Sequence, residues 1–259
     1  LIRLALLASL LLLSACNASE PQEQETVDDE FAEKVRAVLM ERPEIMLEAL
    51  EAYRARMEGE AMAAQENIIA EQRAAVAGSL DALLSAQTGN AVGAPASEAD
   101  LVIVEFFDYQ CGFCRQAVDQ ITELTDGETD VRVIFQELPL LGPQSREAAL
   151  VSLAAGDMGA DTYRRVHRAL MQNSGPLTDE KIDRALARAG VDAGAIRTYL
   201  DENEEKLLAR LRQSIGLAES LKVEGTPFFL VYDPESGDFD VMPGYHEEML
   251  TDVIESVRG

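Results

Sequence analysis

The chain has 259 residues, 47% of them hydrophobic, and sets 22 Lys and Arg against 47 Asp and Glu for a formal charge of −25 at pH 7. That much apolar material suffices for a core in one or two domains. So large an acidic excess, with no Lys/Arg-rich stretch, excludes nucleic acid as a partner, because a polyanion would be repelled.

Residues 1–13 form an apolar run whose single charge is Arg3, and Leu13-Ser14-Ala15-Cys16 follows. The run is shorter than the ~20 residues that span a bilayer and suits the h-region of a cleaved signal. Residues 1–15 are therefore expected to be a lipoprotein signal peptide, with Cys16 the lipidated residue and the membrane reached through that anchor. The alternative is an ordinary secretory signal cut after Ala15 or Ala18, which also exports the protein. With Cys16 lipidated, the two remaining cysteines make one redox pair and no structural disulfide. Residues 16–30 hold Pro, Gln, Ser and acids without apolar periodicity, as a flexible acidic tether does.

Residues 31–88 read as a helical segment. Phe31, Val35, Val38 and Leu39 share one helical face, Pro43 interrupts or restarts the helix, and Met46, Leu50, Tyr53 and Met57 continue the periodicity. Met62, Ile69, Val76 and Leu83 then recur every seven residues, with Leu80 between the last two and Gly78 as an interruption. Such spacing suggests a helix–helix seam, used either for self-association into a homo-oligomer or for packing back on the chain's own domain. The Gly- and Pro-containing stretch 87–100 breaks the helix and marks the expected domain boundary.

The second domain is expected over 98–259. It begins with a buried strand at 101–107, a helix over about 111–125 and a strand at 131–136. After the loop Leu138-Pro-Leu-Leu-Gly-Pro143 comes a helical insertion at about 145–222, with breaks near 156–159, 173–176 and 190–194. Strands at 228–232 and 239–242 flank the turn Asp233-Pro-Glu-Ser-Gly237, and a helix at 245–257 closes the chain. This order makes an α/β layer arrangement with parallel pairing through the first crossover.

Within Val104-Glu-Phe-Phe-Asp-Tyr-Gln-Cys-Gly-Phe-Cys-Arg115, Cys111 falls where strand gives way to helix N-terminus. The unpaired N–H groups there favour a thiolate and can bring a thiol pKa into the range of about 3.5–7.5. A thiolate at neutral pH attacks disulfides, and Cys114, three residues on, can resolve the mixed disulfide.

Four stretches resemble the DsbA/DsbC-type, ScsC-like thiol-disulfide oxidoreductases, which have a thioredoxin-like fold with an inserted helical domain. They are the strand with its Cys-Gly-Phe-Cys turn, Leu138-Pro-Leu-Leu-Gly-Pro-Gln-Ser145, the insertion with Tyr163 and His167, and Gly225-Thr-Pro-Phe-Phe-Leu230. Residues 35–50, with Glu41-Arg-Pro-Glu44, also resemble the N-terminal region through which ScsC-like exported proteins oligomerise, although Arg42 stands where Asn is common. The resemblance implies Cys111 as nucleophile, Cys114 as resolving thiol, and Glu105 as a buried acid that exchanges protons with Cys114. Read from the strand alone, Glu105 could instead face outward. A cis Thr226-Pro227 bond is implied as well, leaving the backbone of Thr226 to pair with an extended substrate strand.

Gly112 and Phe113 complete the substrate-binding set and tune the couple. They resemble the Cys-Gly-Tyr-Cys of exported isomerases more than the Cys-Pro-His-Cys of strong oxidases. The expected function is that of an exported disulfide isomerase or reductase on the periplasmic side, acting on protein thiols and disulfides with a membrane redox partner and no cofactor. The alternatives are a DsbA-type dithiol oxidase or a non-enzymatic copper-handling protein. The two thiols suit copper(I), whereas His167 and His246 lack the spacing of zinc ligands. His167 reads as a packing or surface residue, and Asp108 and Tyr109 flank the site, either shaping its entrance or as plain loop residues.

Overall fold

The computed structural model describes residues 28–85, 90–126 and 130–259. The expected signal peptide, Cys16 and most of the expected tether lie outside them. The chain divides into two compact units, residues 1–60 and 61–259.

In the first unit, Asp28 caps helix α1 (Asp29–Glu41) by accepting from Glu30 N at 3.2 Å. Proline removes a backbone donor and clashes with the preceding turn, so the chain restarts after Pro43 as α2 (Glu44–Ala77). Phe31, Val35, Val38, Met46, Leu50, Tyr53 and Met57 are all exposed.

The second unit takes in the end of α2, the short α3 (Leu80–Leu84) and a five-stranded sheet ordered β1-β3-β2-β4-β5. Strand β1 is Asn90–Gly93, β2 Leu101–Phe107, β3 Val131–Glu137, β4 Phe228–Tyr232 and β5 Phe239–Pro243. Between β2 and β3 lies α4 (Gly112–Thr125), and this crossover makes the pair parallel, with Leu101 opposite Val131 and Phe107 opposite Glu137. The other neighbours pair antiparallel, β4 with β5 as a hairpin. The insertion consists of α5 (Pro143–Asp157), α6 (Ala160–Met171), α7 (Asp179–Arg188) and α8 (Ala193–Ser220), broken where the glycines and prolines fall. Helix α9 (Glu247–Arg258) closes the unit.

Strand β2 is buried along its whole length, and strict alternation divides its side chains between two cores. Leu101, Ile103 and Phe107 meet α4 and the insertion through Cys114, Ala117, Ile121 and Tyr163. Val102, Val104 and Phe106 face the opposite way and pack with Phe228, Leu230, Val76 and Leu83. Val76 and Leu83 are the last two positions of the sevenfold series, and Ile69 and Leu80 pack beside them. Over that stretch the periodic seam packs on its own unit, because the second face of a sheet buried on both sides needs a cover.

The stretch 87–100, where the sequence suggests a domain boundary, contains a further strand. Strand β1 lies inside that stretch and pairs with β3, with Asn90 opposite Phe135. Its four residues are too short and too Gly-rich to show strand periodicity. Gly93 ends β1 at φ +83°, and a Cβ there would run into the Val131 carbonyl. Gly93→Ala is expected to destabilise the fold by about 2–4 kcal/mol, from left-handed strain plus overpacking, read from urea unfolding.

Candidate functional site

Cys111 is the N-cap of α4, with φ −71° and ψ 124°, and its carbonyl accepts from Arg115 N at 3.2 Å. It sits at the end of a tight turn, Cys111 N donating to Asp108 O at 3.0 Å. Asp108 is buried and braces both sides of the site. Its carboxylate accepts from Gln110 N at 2.7 Å, Ser145 Oγ at 2.6 Å and Leu141 N at 2.9 Å. The turn and the Leu138–Pro143 loop are thereby tied to one carboxylate. Asp108 is a positioning residue, where the sequence left it as either shaping the entrance of the site or a plain loop residue.

Both thiols are reduced in this structure. Cys114, one turn into α4, is wholly buried, whereas Cys111 keeps 7% of its surface. As a thiol, Cys111 Sγ donates to Thr226 O at 3.1 Å. As a thiolate it is favoured first by the Cys114 S–H, then by the Thr226 hydroxyl and the N–H groups of Cys114 and Phe113. These donors outweigh desolvation and bring the Cys111 pKa from 9.0 to about 5. Burial and the same hydrogen bond, in which it is the donor, push Cys114 far in the opposite direction.

Glu105 lies on β2 in register with Phe135 on one side and Phe229 on the other. Alternation turns it to the face covered by α4, and it is 2% exposed, so the outward-facing reading is excluded. Burial, and secondarily the Cys111 thiolate, raise its pKa from 4.5 to about 8. A carboxylate at Glu105 would in turn hold Cys114 protonated.

The Thr226-Pro227 peptide bond is cis, as the family resemblance implied, and β4 begins at the next residue. Gly244 N donates to Pro227 O at 2.8 Å, fastening this loop to the end of β5. Gly112 and Phe113 are both exposed, Phe113 with 54% of its surface, beside Cys111 at the start of α4. The structure thus brings Glu105, Cys111, Gly112, Phe113, Cys114, Thr226 and Pro227 into one neighbourhood.

His167 is buried, not at the surface. It is ringed by Phe107, Phe135, Tyr109 and Tyr163, and its Nδ1 lies 3.1 Å from Tyr109 Oη. Burial lowers its pKa to about 3, so it is a neutral packing residue. Tyr109 Oη also donates to Ser152 Oγ at 2.6 Å, which binds the active-site turn to α5. Glu137, at the end of β3, was not singled out from the sequence. It is buried, and burial pushes its pKa well up. Its position at the end of an apolar strand was the available signal.

A Cys-x-x-Cys pair at a helix start, an acid beneath it and a cis proline loop opposite make an arrangement suited to thiol–disulfide exchange on a thioredoxin-like fold. The chain belongs to the DSBA-like thioredoxin domain family, whose model matches residues 102–255.

The thiol-disulfide exchange protein alpha-DsbA2 from Wolbachia pipientis superposes with TM-score 0.64 at 24% identity, over 74% of this chain and 97% of that one. The catalytic domain of Proteus mirabilis ScsC gives TM-score 0.60 at 25% identity, over 72% and 98%. BcfH from Salmonella enterica Typhimurium gives 0.62 at 26% identity, over 89% of this chain and 96% of that one. Among curated proteins, the chain is 30% identical to the Na(+)/H(+) antiporter NhaA 1 of Salinispora arenicola over 136 residues, 52% of this chain. The match spans only 20% of that relative's length.

Alkylation of the reduced protein by iodoacetamide is expected to lose rate as pH falls, with a midpoint near 5, the pKa to which Cys111 is lowered. Cys111→Ser should remove that phase. For Glu105, a folded pKa above the unfolded one means that no penalty exists at low pH. The native state loses ground as pH rises from 4.5 towards about 8, where the unfolded chain is already ionised. Glu105→Gln should therefore leave stability at about pH 4 unchanged and raise it by about 4 kcal/mol near pH 7.5, measured by denaturant unfolding.

Proposed function

We propose that this protein reduces or isomerises disulfides of exported proteins on the periplasmic side of a bacterial membrane, with Cys111 as the attacking thiolate. The Cys111 thiolate attacks one sulfur of a substrate disulfide, the substrate's other sulfur leaves as thiolate, and a mixed disulfide forms. In reduction, Cys114 then attacks Cys111, its proton passes to Glu105, and the second substrate sulfur leaves while Cys111 and Cys114 become the disulfide. In isomerisation, the freed substrate thiolate attacks elsewhere in the substrate and both cysteines return reduced.

The charge on Cys111 coordinates these steps. While it persists, it helps keep Glu105 protonated and Cys114 a thiol. Formation of the mixed disulfide removes it, and with it the smaller of the two causes that hold Glu105 protonated, burial being the larger; the ionised fraction of Glu105 then accepts the Cys114 proton when that thiol attacks.

One observation carries the direction of electron flow. The Cys111 thiolate is held by Cys114, Thr226 and backbone N–H groups, with no side-chain donor from position 113, where an exposed Phe stands. Its pKa of about 5 lies between the about 3.5 of a strong oxidase and the about 7 of thioredoxin. That supports a couple less oxidising than the about −120 mV of the strongest oxidases. Export and anchoring through Cys16 rest on the sequence of residues 1–16. No ion transport is carried over from the antiporter relatives, of which the match covers a fifth.

Equilibration of the Cys111–Cys114 pair against glutathione tests the direction: a potential as high as about −120 mV would make the protein an oxidase. Scrambled ribonuclease should regain activity with the reduced protein and gain nothing from Cys111→Ser, and in vivo alkylation should find the pair reduced.

A further inference from the structure

The cis proline loop opens onto a groove of about 600 Å³, and one of its walls is helix α2. Gln65 and Ile68 of α2 stand on one side, with Phe113, Thr226 and Pro243 among the residues on the other. All belong to the unit 61–259. Ile68 and Phe113 leave 49% and 54% of their surfaces exposed there, on a chain whose charge is −25.

The α2 wall is fastened to the loop that carries Thr226. Gln72 Nε2 donates to Lys222 O at 3.0 Å, and Lys222 Nζ pairs with Glu71. Arg73 reaches Asp240 Oδ1 at 2.6 Å and Phe239 O at 3.3 Å, with its guanidinium over the Phe239 ring. Val76, one turn on, is wholly buried in the core beneath the sheet.

Lys222 itself stands in the left-handed region at φ +55°, two residues past the end of α8 and next to its C-cap Leu221. The turn is a Schellman motif: Val223 N donates to Ala218 O at 2.9 Å and Lys222 N to Glu219 O at 3.1 Å. Glycine is the usual residue at this point because a Cβ is disfavoured there. Here a lysine occupies it, and both its carbonyl and its ammonium are taken by α2.

We infer that this end of α2 is a substrate-recognition element, and that Ile68 and Phe113 together receive a bulky aliphatic or aromatic side chain flanking the cysteine that Cys111 attacks. The inference rests on the exchange reading above. The occupant follows from continuity. Cys111 Sγ reaches Thr226 O, and Thr226 lines the groove, so a disulfide delivered to Cys111 must lay its adjoining chain along it. An extended chain can pair its backbone with Thr226 while alternate side chains drop between the walls, so affinity and selectivity come from different atoms. Ile68 is thus a specificity residue, and Gln72, Arg73 and Lys222 are positioning residues.

Two synthetic peptides, identical except for Leu or Ser beside a central cysteine, test this. Each is used as its glutathione mixed disulfide for turnover and with the cysteine replaced by serine for binding. The wild-type protein should prefer the Leu peptide about tenfold, in Kd and in KM rather than kcat. Ile68→Ser should cut that preference to about twofold, Ile68→Leu should keep it, and the potential of the Cys111–Cys114 pair should not move in either. Met249→Ser, at a similarly exposed position on α9, should change nothing. An undiminished preference in Ile68→Ser, or equal loss for both peptides, would overturn the inference. Normal turnover with that result leaves the exchange reading standing. A Leu preference in binding without turnover would sink the exchange reading and keep the groove.

Discussion

The arrangement depends on one strand that is buried on both faces and ends at a thiol. Because β2 is covered from both sides, its single acid has nowhere to meet water, and Glu105 is held protonated beneath α4. The same strand delivers the chain to the start of α4, where backbone N–H groups and the Cys114 thiol hold Cys111 ionised. One group that is ordinarily charged near neutrality is kept neutral, and one that is ordinarily neutral is kept charged. The free energy for both comes from packing that surrounds the strand, and neither shift survives without it.

The two faces of the sheet serve different ends. On one, α4 and the helical insertion bury Cys114 and Glu105, and the ring cluster of Phe107, Tyr109, Phe135, Tyr163 and His167 supports the turn from below. On the other, Val76 and Leu83 cover Val102, Val104 and Phe106. That cover brings the end of α2 beside the Thr226-Pro227 loop, so a helix that completes a core also walls the groove next to the reactive thiol. Stability and recognition share the same residues there, and Gln72 and Arg73 are the points where they are joined.

Much of this was legible in the residues, for identifiable reasons. The strands at 101–107 and 228–232 are continuous apolar runs, and the insertion breaks fall at glycines and prolines, whose conformational demands are local. Cys111 and Cys114 announced themselves by position. What was not legible involved partners distant along the chain. Strand β1 is four residues long and acquires its identity only by pairing with β3. Asp108 read as either an entrance-shaping or a plain loop residue because the groups it binds, Leu141 and Ser145, lie more than thirty positions away. Ile68, next to the periodic Ile69, carried no signal of its own.

Taken alone, the sequence determined the order of most elements, the α/β class, the Cys111–Cys114 pair and the acidic character of the chain, since these follow from local preference, spacing and composition. The tertiary structure decided which face Glu105 takes, that Ile69 to Leu83 cover the chain's own sheet, and which side chains stand beside Cys111. A period of seven records only that one helix face is apolar, and a glutamate in a strand only that it points one way or the other. What those faces meet is a property of the packed molecule, and with it the environments that set the charges on Cys111 and Glu105.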